Sequence, residues 1–207
     1  ISEEGLEIPD VSELHNIAIL NLRSNPDLSA ASASLAGIID RFDIRPGFMK
    51  IPHPYRKYSV QSKAFESGIP FTGHPMIGHD IIYCHPMCSG PALGRTAMND
   101  FLCFAESIGN LNGGVYISIG SAVMSPMIFE KSLSMARNVK IQGNETLNDH
   151  FIVVVDLAKS DWDWEKAGEP SADNPAYYLR FCKTFNRMGG EMHYLNIDNR
   201  DFLLELN

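Results

Sequence analysis

The chain has 207 residues, 44% of them hydrophobic and 20% charged, which is enough apolar material for a globular domain with a full core. Its formal net charge of -8 and pI near 5.3 argue against nucleic acid and anionic membranes as partners. Cys84, Cys88, Cys103 and Cys182 show no disulfide-framework spacing, so a reducing, cytoplasmic setting is expected, with neither a signal peptide nor a membrane-length apolar run. The chain begins with Ile1 rather than Met, as a trimmed or partial chain does.

Residues 1–16 are acidic and aperiodic and read as a mobile lead-in, followed by a short buried strand over 17–22 (IAILNL). Pro26 opens a helix to about Phe42, and the proline-rich stretch 43–58 reads as an irregular connection. A helix over 59–67, closed by Gly68, precedes a short strand at 69–72 and the polar segment GHPMIGHDIIYCHPMC. Leu93, Ala97, Phe101, Phe104, Ala105 and Ile108 share one face of a helix over 91–111. Then come an apolar strand after Gly113, a small-residue turn at Gly120-Ser121, and a helix for which Ser125 is the expected N-cap. The run FIVVVD (151–156) has the composition of a central parallel strand. A polar loop with both tryptophans leads to a helix begun by Asn174-Pro175 and ended at Gly189-Gly190. Strand 191–197 and a helix capped by Asp198 complete an alternating order that predicts an α/β parallel sheet with right-handed crossovers.

Three groups of residues carry candidate chemistry. His74, His79, Asp80, Cys84, His85 and Cys88 offer metal-ligating types, but their spacing fits no standard zinc motif. Asp80 reads as a carboxylate at a strand end, where a ligand hydroxyl or amine commonly partners it. The Gly120-Ser121-Ala122 turn lets phosphates or a ribose approach the backbone, or else allows close strand–helix packing. Lys183 lies opposite the apolar face formed by Tyr178, Phe181, Cys182, Phe185 and Met188, which predicts a solvated lysine unless another subunit covers it. The acids Asp161, Asp163, Glu169 and Asp173, with Trp162 and Trp164, are suited to a polyamine through charge and cation–π contact, or form an ordinary exposed loop.

The linked series GHDIIYCHP, GGVYISIGSAVMSPMIFEKSLSMARN, strand, loop and Pro-initiated helix resembles the C-terminal part of the deoxyhypusine synthase family, nearest to its prokaryotic deoxyhypusine synthase-like branch, over residues 59–207. The resemblance divides the chain into a partial α/β segment at 1–58 and a deoxyhypusine synthase-like domain at 59–207. It implies a Rossmann-like, mostly parallel sheet with helices on both faces, NAD as cofactor, and a homotetramer. It also implies an NAD-linked aminoalkyl transferase acting on a polyamine or related small-molecule amine through a lysine imine, with a protein as possible acceptor. By position, Lys183 matches the imine-forming lysine, Phe181 takes the place of the tryptophan before it, and His85 and Tyr177 stand where the family has substrate-binding acids. Asp80, Gly120 and Asp198 match cofactor contacts, with Ser121 beside them. Ser125 stands where the family has its catalytic histidine, which leaves His85 as the replacement base. The alternatives are a non-catalytic nucleotide-binding module on the same fold, or a metal-dependent hydrolase using His74, His79 and His85.

Overall fold

The computed structural model describes residues 5–206, and the chain divides into two compact units, Ile1–Phe101 and Leu102–Asn207. The expected division at residue 58 lies within the first unit. Residues 1–4 of the expected lead-in lie outside the described residues.

In the first unit, strand β1 (Gly5–Ile8) pairs antiparallel with β2 (Gly47–Lys50), from Gly5 opposite Lys50 to Ile8 opposite Gly47. Helices α1 (Val11–Asn21) and α2 (Pro26–Arg41) lie between them in sequence. Asp10 caps α1 by accepting the Ser12 N–H at 2.8 Å, and Asn25 caps α2 with Pro26 in the first turn. Ile8, Leu14, Ala36 and Ile39 form the local core. The strand expected at 17–22 is therefore helix, and the lead-in is ordered from Gly5. Ile19, Leu20 and Leu22 are well exposed, so this apolar run is not a core segment and its composition gave no period to read. Helix α3 (Val60–Glu66) begins at its Ser59 cap, whereas 69–72 forms no strand. Helix α4 (Gly90–Gly109) crosses the boundary between the units, and only Ala105 and Ile108 of its predicted face are fully buried.

The second unit is built on β3 (Gly114–Ile119), β4 (His150–Asp156) and β5 (Glu191–Asn196), all parallel and adjacent in that order. Helix α5 (Met124–Gln142) joins β3 to β4. The β4–β5 connection holds the short α6 (Trp164–Ala167), a 3₁₀ turn (Pro175–Tyr178) and α7 (Arg180–Arg187), and α8 (Asn199–Glu205) follows β5. The architecture is thus mixed α/β with a parallel three-stranded sheet. Alternation along the strands sends Ile152, Val154 and Met192 into one core with Ile108 of α4, Phe129 and Leu133 of α5, and Cys182 and Phe185 of α7. Val115, Ile117, Phe151 and Leu195 alternate with those residues and stay partly exposed. Burial pushes the Cys182 thiol well above its usual range, so it acts as packing rather than as a nucleophile.

The amino ends of the strands are closed by a polar clamp. Arg137 Nε donates to the Leu147 carbonyl at 2.9 Å and Nη2 to the Met188 carbonyl at 2.7 Å. His150 is buried beside them, and burial first, then Arg137, lowers its pKa. Gly190 (φ 75°) passes so close that a Cβ there would lie 2.4 Å from the His150 carbonyl oxygen, which fixes glycine at this helix end.

Candidate functional site

The polar geometry of greatest chemical interest lies in the connection that leaves the carboxyl end of β4. Trp164 is fully buried, and its carbonyl accepts the Asn186 side-chain N–H at 2.9 Å, tying α6 to α7. Trp162 Nε1 donates to the Gly168 carbonyl at 2.8 Å, and Gly168 turns the chain at φ 66° just before Glu169. These anchors bring Glu169 against α7. There its Oε1 meets Lys183 Nζ at 2.8 Å, while its Oε2 accepts from Arg187 Nε at 2.8 Å and Nη2 at 2.6 Å. The Tyr177 ring, placed by the Asn174-capped 3₁₀ turn, lies 3.5 Å from Nζ. Lys183, then Arg187, hold the Glu169 carboxyl below the ordinary carboxylate range.

Lys183 is not the solvated lysine that helical spacing predicts: its side chain is only 12% exposed. The predicted continuous helix from Pro175 breaks at Leu179 (φ -76°, ψ 67°), so Tyr177 turns back over the lysine while Tyr178 faces solvent. The cover comes from this unit's own loop, without a second subunit. Among the other residues expected to hold substrate, Trp164 is core and Phe181 packs against the core, so neither presents a ring to this cage. Arg187 is the member that sequence reasoning missed. Its place one turn after Lys183 was the available signal, because residues four apart share a helix face.

The residues expected to hold NAD have other employment. Gly120 adopts φ 60°, and a Cβ there would lie 2.5 Å from Asn199 Nδ2, so the turn is filled by α8. The N-cap position of α5 is Val123 rather than Ser125, and Ser121 Oγ, two residues earlier, accepts the first-turn Ser125 N–H at 3.0 Å. Ser125 Oγ shares a 2.7 Å hydrogen bond with the Tyr116 hydroxyl. Asp198 caps α8 through the Arg200 N–H at 2.9 Å and pairs with the Arg200 guanidinium at 3.0 Å. As arranged, these groups do not fit a dinucleotide: the glycine turn is filled and the carboxylate is already engaged.

The remaining expectations fall in the first unit. Asp80 is not at a sheet edge, because no strand forms near it; it is exposed, precedes a 3₁₀ turn at Ile81–Cys84 and accepts the Met76 N–H. His85 Nδ1 accepts the Met87 N–H at 3.1 Å, which leaves Nε2 for other partners. Its ring borders an apolar cleft of about 590 Å³ with Ile38, Ile82, Met87, Cys88 and Leu93. His74 Nε2 is 2.9 Å from Thr72 Oγ1, and burial lowers its pKa. The ligand-type side chains that converge among the described residues are Glu165, Glu191 and His193, not the His74–Cys88 series. The sequence signal for part of that trio is Glu191-x-His193 on a strand, which puts both side chains on one face.

Comparisons of the chain with protein-family models, with curated proteins and with solved structures find no match.

Proposed function

We propose that the second unit is a lysine-centred site that exchanges amines through an imine, the chemistry of an aminoalkyl transferase of the deoxyhypusine synthase-like type. The observation that carries this reading is the cage itself: Lys183 Nζ, nearly covered, lies between the Glu169 carboxylate at 2.8 Å and the Tyr177 ring at 3.5 Å. The order and parallel sense of β3, β4 and β5 support the Rossmann-like part of the same proposal, since ligands of open α/β sheets bind beyond the carboxyl ends of the strands.

The lysine attacks as the neutral amine, so one proton leaves Nζ for water first, while Glu169, held below the ordinary carboxylate range, orients Nζ as its ion-pair partner. Condensation with an aminoaldehyde forms the Nζ=C bond and releases water. An incoming primary amine then takes the alkylidene group and returns Lys183 as its free amine. Neither step consumes an oxidant. Imine formation reduces the three N–H donors of Nζ to at most one, which frees the Tyr177 face and part of the Glu169 carboxylate for a second ammonium on the substrate. The cage therefore selects a cationic aminoaldehyde over an uncharged one. The transferred group is then an imine on the acceptor amine; oxidation of a polyamine upstream and return of the hydride to that imine are the roles a nicotinamide cofactor would supply. Because Gly120 and Asp198 are engaged elsewhere, no step is routed through one here.

The test is borohydride reduction of the protein with 4-aminobutanal or with butanal, read by intact mass. A single adduct that forms faster with the charged aldehyde, and that is absent from Lys183→Met, is expected. Equal labelling by both aldehydes at many lysines would mean that the lysine is a structural ion-pair member on a non-catalytic scaffold.

A further inference from the structure

We infer that Glu165, Glu191 and His193 form a site for a borderline first-row divalent cation, with zinc as its representative, on the sheet face opposite the main core. The donor atoms come from two elements, the first turn of α6 and alternate positions of β5, and all lie within 4.8 Å of one another. His193 Nδ1 is 3.3 Å from Glu165 Oε2, and Nε2 is 2.9 Å from Glu191 Oε1.

A neutral imidazole carries one N–H, so one of its nitrogens presents a lone pair to a carboxylate oxygen. The other nitrogen donates its N–H to the second carboxylate, so on one side of the ring a lone pair and a negative oxygen face each other, and that contact is satisfied by a second proton or by a cation. Among the described residues His193 is the one ion-pair partner of either carboxylate, while the nearby Lys166 is paired with Asp163. The local charge is short of positive partners, unlike that around Glu169.

The donors are also held in place by packing outside the cluster. Trp164, next to Glu165, is fully buried, and Met192, between the β5 ligands, is buried in the same core. The Phe151 ring stacks on the imidazole, with centroids 6.2 Å apart and planes 20° from parallel, which fixes the ring from the neighbouring strand. Such support outside the ligands separates a prepared site from a chance surface pair. One imidazole nitrogen with two carboxylates matches zinc and its first-row neighbours, whereas magnesium and calcium take all-oxygen shells. Three protein ligands leave a coordination position for water, and the partly exposed face admits it.

This inference is independent of the lysine chemistry. It is tested on the purified chain, stripped with chelator and titrated with zinc chloride in a calorimeter. Saturable binding of one ion per chain is expected. His193→Gln and Glu191→Gln should each weaken it by roughly tenfold or more, while a Cys84→Ser/Cys88→Ser variant binds as the parent does. Thermal unfolding without zinc checks that the variants remain folded. No saturable binding, binding unchanged in His193→Gln, or binding lost in the cysteine variant instead would overturn the assignment.

Discussion

Two carboxylate clusters of the second unit are built from the same parts in opposite proportion. At Glu169 one carboxylate serves two cations, Lys183 and Arg187; at His193 one imidazole serves two carboxylates, Glu165 and Glu191. The first is rich in positive charge and nearly closes over its lysine. The second is poor in positive charge and lies on the partly covered sheet face. Similar side chains thus give one cluster proposed for carbonyl and amine chemistry and another proposed for a metal. The difference arises from what the loop 157–179 anchors on each side of buried Trp164.

The largest expected effect removes the support common to both clusters. Phe185 of α7 is fully buried, close to Phe129 and Tyr116, so Phe185→Ala should cost about 3–5 kcal/mol in denaturant unfolding. Both aldehyde trapping and zinc binding should weaken together; loss of one alone would show that the clusters do not share that support. Glu169→Gln should act on one side only. It keeps the shape of the side chain but removes the charge, and should reduce the preference for 4-aminobutanal over butanal roughly tenfold or more while zinc binding stays at the parental value.

A pH series sharpens the contrast with a third polar group, His150, whose shift is set by burial and Arg137 and only partly opposed by Asp149. His150 is buried, its folded pKa lies below the model-compound value of 6.5, and burial is the main cause. Above that value the imidazole is neutral in both states and its contribution is constant. As pH falls below it, the unfolded chain takes the proton first, so stability declines, by up to about 1.4 kcal/mol per pH unit for one proton. Unfolding midpoints from pH 7 to 5 should fall in the parent and fall less in His150→Gln. The smallest effect separates a structural hydrogen bond from a ligand turn: Ser121→Ala, which removes the acceptor of the Ser125 N–H, should cost about 1 kcal/mol and leave trapping unchanged.

Much of the second unit was legible because pattern and fold agree there. The β-branched run 151–156 is a central strand, Asn174-Pro175 and Gly189-Gly190 punctuate where expected, and Asp198 caps the last helix. The first unit resisted for a physical reason: its apolar residues at 17–22 and 69–82 are mostly exposed, so hydrophobicity there did not report burial. At the candidate site the residue types of Lys183, Glu169 and Tyr177 were readable, but the cover over Lys183 was not. It depends on the break at Leu179 and on the turn at Gly168, and helical periodicity assumes neither. At the Gly120-Ser121 turn the sequence left ligand approach and close packing both open, and the structure has Asn199 packed against Gly120 and Ser121 Oγ accepting the Ser125 N–H.

The central claim is that Lys183, out of all the lysines, is the one that forms the imine. Its most direct test is peptide mapping of protein reduced with borohydride in the presence of a limiting amount of 4-aminobutanal. The account predicts the added mass on the peptide that carries Lys183, and its disappearance in Lys183→Met with the other lysines still unlabelled. Labelling spread over exposed lysines such as Lys63 and Lys166 while Lys183 stays unmodified would contradict it.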